Sequence, residues 1–261
     1  MDDTGHNAGF AHWAGAGGNT SGPVIAGNYH AVIDAHRGAT VTPLPPGQLP
    51  RPARRPRIAL LPARRQPAPL GRDAEIAALA RALQTGGAVQ LWGPRGCGKS
   101  TLLRHAARTL PPREDGVVFL DASHGEASDL AQELFEACYQ TQGYAPARSE
   151  LRQLMTGLRL TVYVDNAELT TEQLRELRDT APDAAFVFAS HDSTLLGDGT
   201  VLELAGLARE SGQALLERAL GRPLPENQRA AAAELWQAAS GRPLLLLRAA
   251  RLARTEPSGE V

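Results

Sequence analysis

Eight consecutive residues, Gly93-Pro94-Arg95-Gly96-Cys97-Gly98-Lys99-Ser100, fit the pattern G-x-x-x-x-G-K-[ST]. The chemistry such a run can perform is polyphosphate binding. Its glycines let backbone N–H groups turn inward and approach phosphate oxygens closely. It opens a helical pattern over 100–110, whose N-terminal dipole favours anions. Lys99 can reach the β- and γ-phosphates as a flexible point charge, and Ser100 can ligand Mg²⁺. Of 27 basic residues, Lys99 is the one lysine and the other 26 are arginine. A guanidinium would fit this cradle poorly. The bland alternative is a Gly-rich turn that matches by accident, but a strand pattern precedes the run and a helix pattern follows it. Residues 93–101, Thr101 included, are therefore predicted to bind ATP or ADP with Mg²⁺, with Lys99 in a catalytic as well as a binding role.

A metal held there needs an acid at the end of a second strand. Leu160-Thr161-Val162-Tyr163-Val164-Asp165 supplies one, 66 residues after Lys99. In open parallel sheets ligands sit at that carboxyl edge. Asp165 is predicted to hold the metal with Ser100; the alternative is a solvated turn aspartate. Asn166 follows where a second acid would polarise water, so hydrolysis is expected to be slow, and Asn166→Asp is expected to raise it. Glu168, two positions on, is the candidate substitute. Ser190 and His191, after the apolar run Phe186–Ala189, could sense a terminal phosphate; a loop-start capping serine is the other reading of Ser190.

These groups need a scaffold. Strand patterns fall at 88–92, 117–120, 160–164, 185–189 and 201–204. Helical patterns fall at 77–83, 100–110, 130–139, 151–158 and 172–178. Alternating strand and helix predicts an α/β fold, a parallel sheet covered by helices on both faces. After Leu207 the text is all helix: 210–220, then Pro225 to Gly241, then Pro243 to about Arg254. Three helices without strands predict a small lid.

Upstream, residues 1–42 carry eight of 26 glycines and four of seven histidines (His6, His12, His30, His36), around short apolar pairs at Val24-Ile25 and Val32-Ile33. The histidines are too scattered for a metal site. Residues 43–69 hold nine of 19 prolines, six arginines and no acid, which predicts a semi-extended linker. The expected organisation is a leader over 1–42, a linker over 43–69, a nucleotide-binding domain over 70–207, a lid over 208–255 and a tail over 256–261. Net charge is −1 over 261 residues, which removes the simplest electrostatic case for a nucleic-acid binder. Two cysteines, Cys97 and Cys138, fit a reducing cytoplasm, and no apolar run is long enough to span a membrane. The arginine-rich usage suits a high-GC genome of actinobacterial type.

Leu70-Gly71-Arg72-Asp73-Ala74-Glu75-Ile76 resembles the "GR-x-x-E" segment ahead of the phosphate loop in STAND-class signalling ATPases, the NB-ARC-like relatives of AAA proteins. The phosphate loop, Asp165, Leu204-Ala205-Gly206-Leu207 and Gly241-Arg242-Pro243-Leu244 follow in that family's order, over residues 70–254. The resemblance implies that Arg72 and Pro243 lie near the nucleotide and that the lid closes over ATP or ADP as a switch. Asn166 and His191 depart from the pattern, where relatives carry an acid and often an arginine. A winged helix and a sensor array would follow in relatives; seven residues follow Arg254. The stretch Asn19–His30 is similar to amyloid-type signalling motifs ahead of bacterial NTPases, though it lacks their glutamine; a plain disordered leader is the alternative.

The leading expectation is a nucleotide-dependent switch with weak ATPase activity. Its partners would be nucleotide and, through the leader, a second copy or another protein. An AAA-type ATPase acting on DNA, with Arg51, Arg54, Arg55 and Arg57 on phosphates, is the second reading. A non-enzymatic assembly module nucleated by the leader is the third.

Overall fold

Apolar alternation along the strands sets the layers of this chain. A computed structural model describes residues 22–26, 31–35, 52–62, 67–123, 125–140, 144–195, 197 and 199–255. Two compact units divide it, residues 1–51 and 52–261. In the first, β1 (Gly22–Ala26) pairs antiparallel with β2 (Ala31–Ala35), Val24 opposite Ile33. The two expected apolar pairs thus fall on partnered strands. The rest of the leader, including most of the stretch 19–30, lies outside the described residues, as does the tail over 256–261.

The second unit runs β3 (Ala53–Arg54), β4 (Ile58–Leu60), α1 (Asp73–Thr85), β5 (Ala88–Trp92), α2 (Lys99–Thr109), β6 (Gly116–Asp121), α3 (Ala127–Cys138) and β7 (Tyr139–Gln140). It continues with α4 (Arg148–Met155), β8 (Leu160–Asp165), α5 (Thr171–Thr180), β9 (Ala185–Ser190), β10 (Gly199–Glu203), α6 (Arg209–Leu220), α7 (Glu226–Ala238) and α8 (Pro243–Thr255). Six strands form one sheet in the order β10-β5-β9-β8-β6-β4, and every pair is parallel.

Every residue of β8 and β9 is buried, as a sheet covered on both faces requires. Tyr163, Val187 and Ala189 face α1 and α2, against Leu79, Leu103 and Ala106. Val162, Val164, Phe186 and Phe188 face α3, α4 and α5, against Leu134, Phe135, Met155 and Leu177. From β5 the chain crosses to β6 in one direction, then returns through β8 to β9. Right-handed crossovers therefore place α2 on one face and α3 and α5 on the other.

The linker expected over 43–69 needs correction. β4 lies inside it and pairs with β6 as the sheet's edge strand, with Ile58 buried, and β3 pairs with β7. Proline-rich composition hid a strand that lies at an edge, where flanking Pro56 and Pro62 interrupt no ladder. Two linker arginines are engaged: Arg54 pairs with Asp115, and Arg55 Nε donates to the Glu136 carbonyl at 3.2 Å. The helix expected to reach Leu158 ends at Met155, short of Gly157 at φ 83°. Pro225 is the N-cap of α7 and not its first turn.

Helices α6, α7 and α8, the segment expected to form a lid, share a cluster of their own, with Leu207, Leu215, Leu216, Leu224 and Leu246 buried together. Both cysteines are buried and free, and burial pushes the Cys138 thiol up to about 12.

Candidate functional site

The phosphate loop joins the end of β5 to α2, at the carboxyl edge of the sheet. Gly98, at φ 104°, is the N-cap of α2, and no acid stands in that helix's first turn. Two loop glycines are required by close approach. A Cβ on Gly93 would stand 2.4 Å from the Leu204 carbonyl oxygen, and one on Gly96 would stand 2.8 Å from Leu244 Cβ. Lys99 Nζ donates to the carbonyls of Gly93 at 2.6 Å and Pro94 at 3.2 Å. The ammonium is thus folded over its own loop.

A cavity of about 590 Å³ opens above this loop, a size suited to a small-molecule ligand. Arg95, Gly96, Gly98, Lys99, Ser100 and Thr101 form its floor. Asp165, Asn166, Glu168 and His191 form one wall, with Ala122 and Ser123 beside them. Pro243, Leu244 and Leu247 of α8 form the other. Pro243, which the resemblance implied near the nucleotide, lines this cavity. The Leu244 amide donates to the Gly96 carbonyl at 3.1 Å, so the first turn of the lid's last helix sits directly on the loop.

Four of the expected binding residues do not line the cavity. Cys97 points into the core beside Leu91, Leu102 and Leu204. Gly93 and Pro94 contribute the carbonyls that hold Lys99. Arg72, 4% exposed, gives its guanidinium to Glu75 at 2.6 Å, the Cys97 carbonyl at 3.0 Å and the Ala205 carbonyl at 2.7 Å. It is a positioning residue that ties the helix before the loop to the loop itself and to the chain leaving β10. The same exit segment meets the lid: the Leu207 amide donates to the Gly241 carbonyl at 2.8 Å, and Trp236 Nε1 donates to the Leu207 carbonyl at 2.8 Å. The motif segments recognised one by one in the sequence converge as one bonded frame.

Ser100 Oγ donates to Asp165 Oδ1 at 2.7 Å, and Arg104 Nη2 pairs with Asp165 Oδ2 at 2.9 Å. This hydroxyl and carboxylate, adjacent and facing the cavity, suit a hard cation that keeps part of its water. Among the described residues no group of three His, Cys, Asp or Glu could hold a metal by itself. A cation here would need phosphate oxygens to complete its shell.

Burial pushes the Asp165 carboxyl up, against the lowering effect of Ser100 and Arg104. A carboxyl raised in the folded chain binds its proton more tightly there than when unfolded. Its ionisation costs stability at neutral pH, and that cost disappears as pH falls through the folded value. Asp165→Asn is expected to raise the melting temperature of the ligand-free protein at pH 7. The gain should shrink as the pH is lowered through the carboxylate range. A gain that grew on acidification would contradict this sign.

Asn166 adopts φ 55°, a left-handed conformation that asparagine tolerates better than most residues. Its Nδ2 donates to Asp121 Oδ1 at 3.0 Å and to Ser123 Oγ at 2.9 Å. Burial alone would raise Asp121, but hydrogen bonds from Ser123 and Asn166 outweigh it and hold the carboxyl below its ordinary value. Glu168 reaches the cavity wall with His191, whose backbone amide donates to Oε1 at 3.0 Å and whose Nδ1 pairs with the same oxygen. Ser190 does not line the cavity. It accepts from Gln90 Nε2 at 2.7 Å and donates to the Asp192 carbonyl at 2.8 Å, below the sheet edge. Sequence reasoning missed Asp121, Ser123, Leu244 and Leu247. The signal for Asp121 was present: like Asp165, it ends an apolar strand.

Residues 81–193 match the AAA domain family, from within α1 to just past β9. A Walker-type ATPase of Pyrococcus abyssi superposes with a TM-score of 0.50 at 18% identity, over 70% of this chain and 67% of that one. The fold is that of a P-loop NTPase. A signal transduction ATPase with numerous domains (STAND) and a tetratricopeptide repeat sensor, from Pyrococcus horikoshii, gives 0.46 at 16% identity. That match covers 73% of this chain and 30% of the other, so this chain spans under a third of that protein's length. RuvB of Thermotoga maritima gives 0.43 at 18% identity, over 71% of this chain and 62% of that one. No curated protein matches the chain. No helix among the described residues is long and apolar enough to cross a membrane.

Proposed function

We propose that this chain is a cytoplasmic, nucleotide-dependent switch of the STAND type, which binds ATP or ADP with Mg²⁺ between the phosphate loop and the helical lid and hydrolyses ATP slowly. The observation that carries this reading is the bond from the Leu244 amide to the Gly96 carbonyl. It seats α8 on the loop that would hold the phosphates, so a ligand in the cavity touches both subdomains. Loop amides, Lys99 and the N-terminus of α2 would hold the phosphates. Ser100 and Asp165 would hold Mg²⁺, which when bound would neutralise phosphate charge. Leu244 and Leu247, both partly exposed on the cavity wall, offer apolar surface to the rest of the nucleotide. Arg72 keeps loop, exit segment and first helix in register.

A ligand that contacts both parts favours the closed arrangement by its differential affinity. ADP with Mg²⁺ is expected to slow amide exchange in the first turn of α8 and around Gly241, as well as in the loop. Hydrogen exchange with and without ADP reads this directly. Protection confined to residues 90–105 would separate the lid from the nucleotide and defeat the switch reading. The β1–β2 hairpin supports a partner role for the leader. A two-stranded sheet is marginal by itself, and among the described residues no further strand pairs with either edge, which would suit a strand from a second copy.

A further inference from the structure

The carboxylate that position 166 lacks stands on the neighbouring strand. β6 and β8 pair in register, with Asp121 opposite Asp165 at their carboxyl ends. Val117 and Tyr163 of these strands pack toward α2. By the period of two, Asp121 and Asp165 present themselves to that same side, where Lys99 and Ser100 begin the helix.

Two carboxylates line the cavity, Asp165 and Glu168, and both are committed; Asp121 precedes the lining residues Ala122 and Ser123. Asp165 is buried, with its oxygens on Ser100, Arg104 and the Asn166 amide. Glu168 is held by the amide and ring of His191. Asp121 is exposed and differs in how it is tied. Asn166 Nδ2, the Ser123 amide and Ser123 Oγ all donate to Oδ1. Among the described residues no donor reaches Oδ2. One oxygen anchors the group and the other has no donor among the described residues, and the two residues that follow it, Ala122 and Ser123, line the cavity.

We propose that Asp121 is the water-orienting carboxylate for nucleotide hydrolysis at this site, with Asn166 as the residue that positions it. The inference rests on the nucleotide reading above. The water oxygen forms a bond to the γ-phosphorus, and the bond from that phosphorus to the bridging oxygen breaks with its electron pair left on ADP. One water proton passes to Asp121 Oδ2 and from there to the released phosphate.

The test measures phosphate release and Mg-ATP affinity on the full chain. Asp121→Asn is expected to lower single-turnover hydrolysis about 100-fold or more, the scale of a lost general base. Mg-ATP affinity should stay within about threefold, because the binding groups are untouched. The exchange Asp121→Asn with Asn166→Asp returns the carboxylate to β8 and reverses the hydrogen bond. It is expected to recover about tenfold or more over Asp121→Asn alone, which a merely structural aspartate would not do. Hydrolysis that survives Asp121→Asn and is abolished by Glu168→Gln would overturn the proposal. So would a rate loss matched by an equal loss of Mg-ATP affinity, which would make Asp121 a metal holder. An unmodified chain that binds Mg-ATP and releases no phosphate would also overturn it. Failure to bind either nucleotide would defeat the nucleotide reading itself, a distinct result.

Discussion

Lys99→Ala is expected to weaken ADP binding about 10- to 100-fold, the worth of a charge-assisted hydrogen bond in a partly enclosed site. Lys99 is 9% exposed, and its ammonium is already held at the loop by two carbonyls. A polyphosphate would draw it away from those carbonyls without moving the backbone. The loop amides and the dipole of α2 remain in the variant, so binding weakens and does not vanish. ATP should lose more than ADP, since on the nucleotide reading the lysine would reach the β- and γ-phosphates. Lys99→Arg should not restore affinity, because a planar fork replaces a point charge in a closed cradle. Titration calorimetry at fixed Mg²⁺ and ionic strength reads all three. Affinity within about twofold of the parent would show that this loop does not hold phosphate.

The second large effect belongs to the lid. Leu246, fully buried on α8, packs with Leu207, Leu215, Leu216 and Leu224. Leu246→Ala is expected to cost about 2–5 kcal/mol, from lost transfer energy and the cavity left behind. No residue of that cluster is shared with the two clusters that flank the sheet. The cost should therefore appear as local opening of α6 to α8, with β5, β8 and β9 still protected from exchange. ADP at 100 times its dissociation constant contributes about 2.7 kcal/mol by mass action. It should restore much of the lid's protection in the variant. Equal loss of protection in sheet and lid would instead show one cooperative unit, and the lid could not then move by itself.

These two expectations also contrast in how far each could be read from the chain. The phosphate loop needs eight consecutive residues, and a solitary lysine among arginines marks it without any fold. The covered strands are legible for a similar reason. An unbroken apolar run such as Ala185–Ala189 suits a strand covered on both faces of a parallel sheet. The lid helices are bounded by residues with local preferences: Pro225, Gly241 at φ 66°, and Pro243.

What the chain determined by itself is thus each element whose signal lies within one turn or one strand. Only tertiary structure decided the rest. β4 is a strand because Ile58 finds β6, not because 43–69 looks like one. Arg72 is a tie because Cys97 and Ala205, 25 and 133 positions away, turn two carbonyls toward it. Ser190 leaves the cavity because Gln90 offers it a buried partner across two adjacent strands. Asp121 stands beside Asn166 because β6 and β8 pair in register, 45 positions apart along the chain. Local preference acts over a few bonds and is written in composition and period. A hydrogen bond or carboxylate shared between distant strands depends on register, which exists only once the sheet has formed.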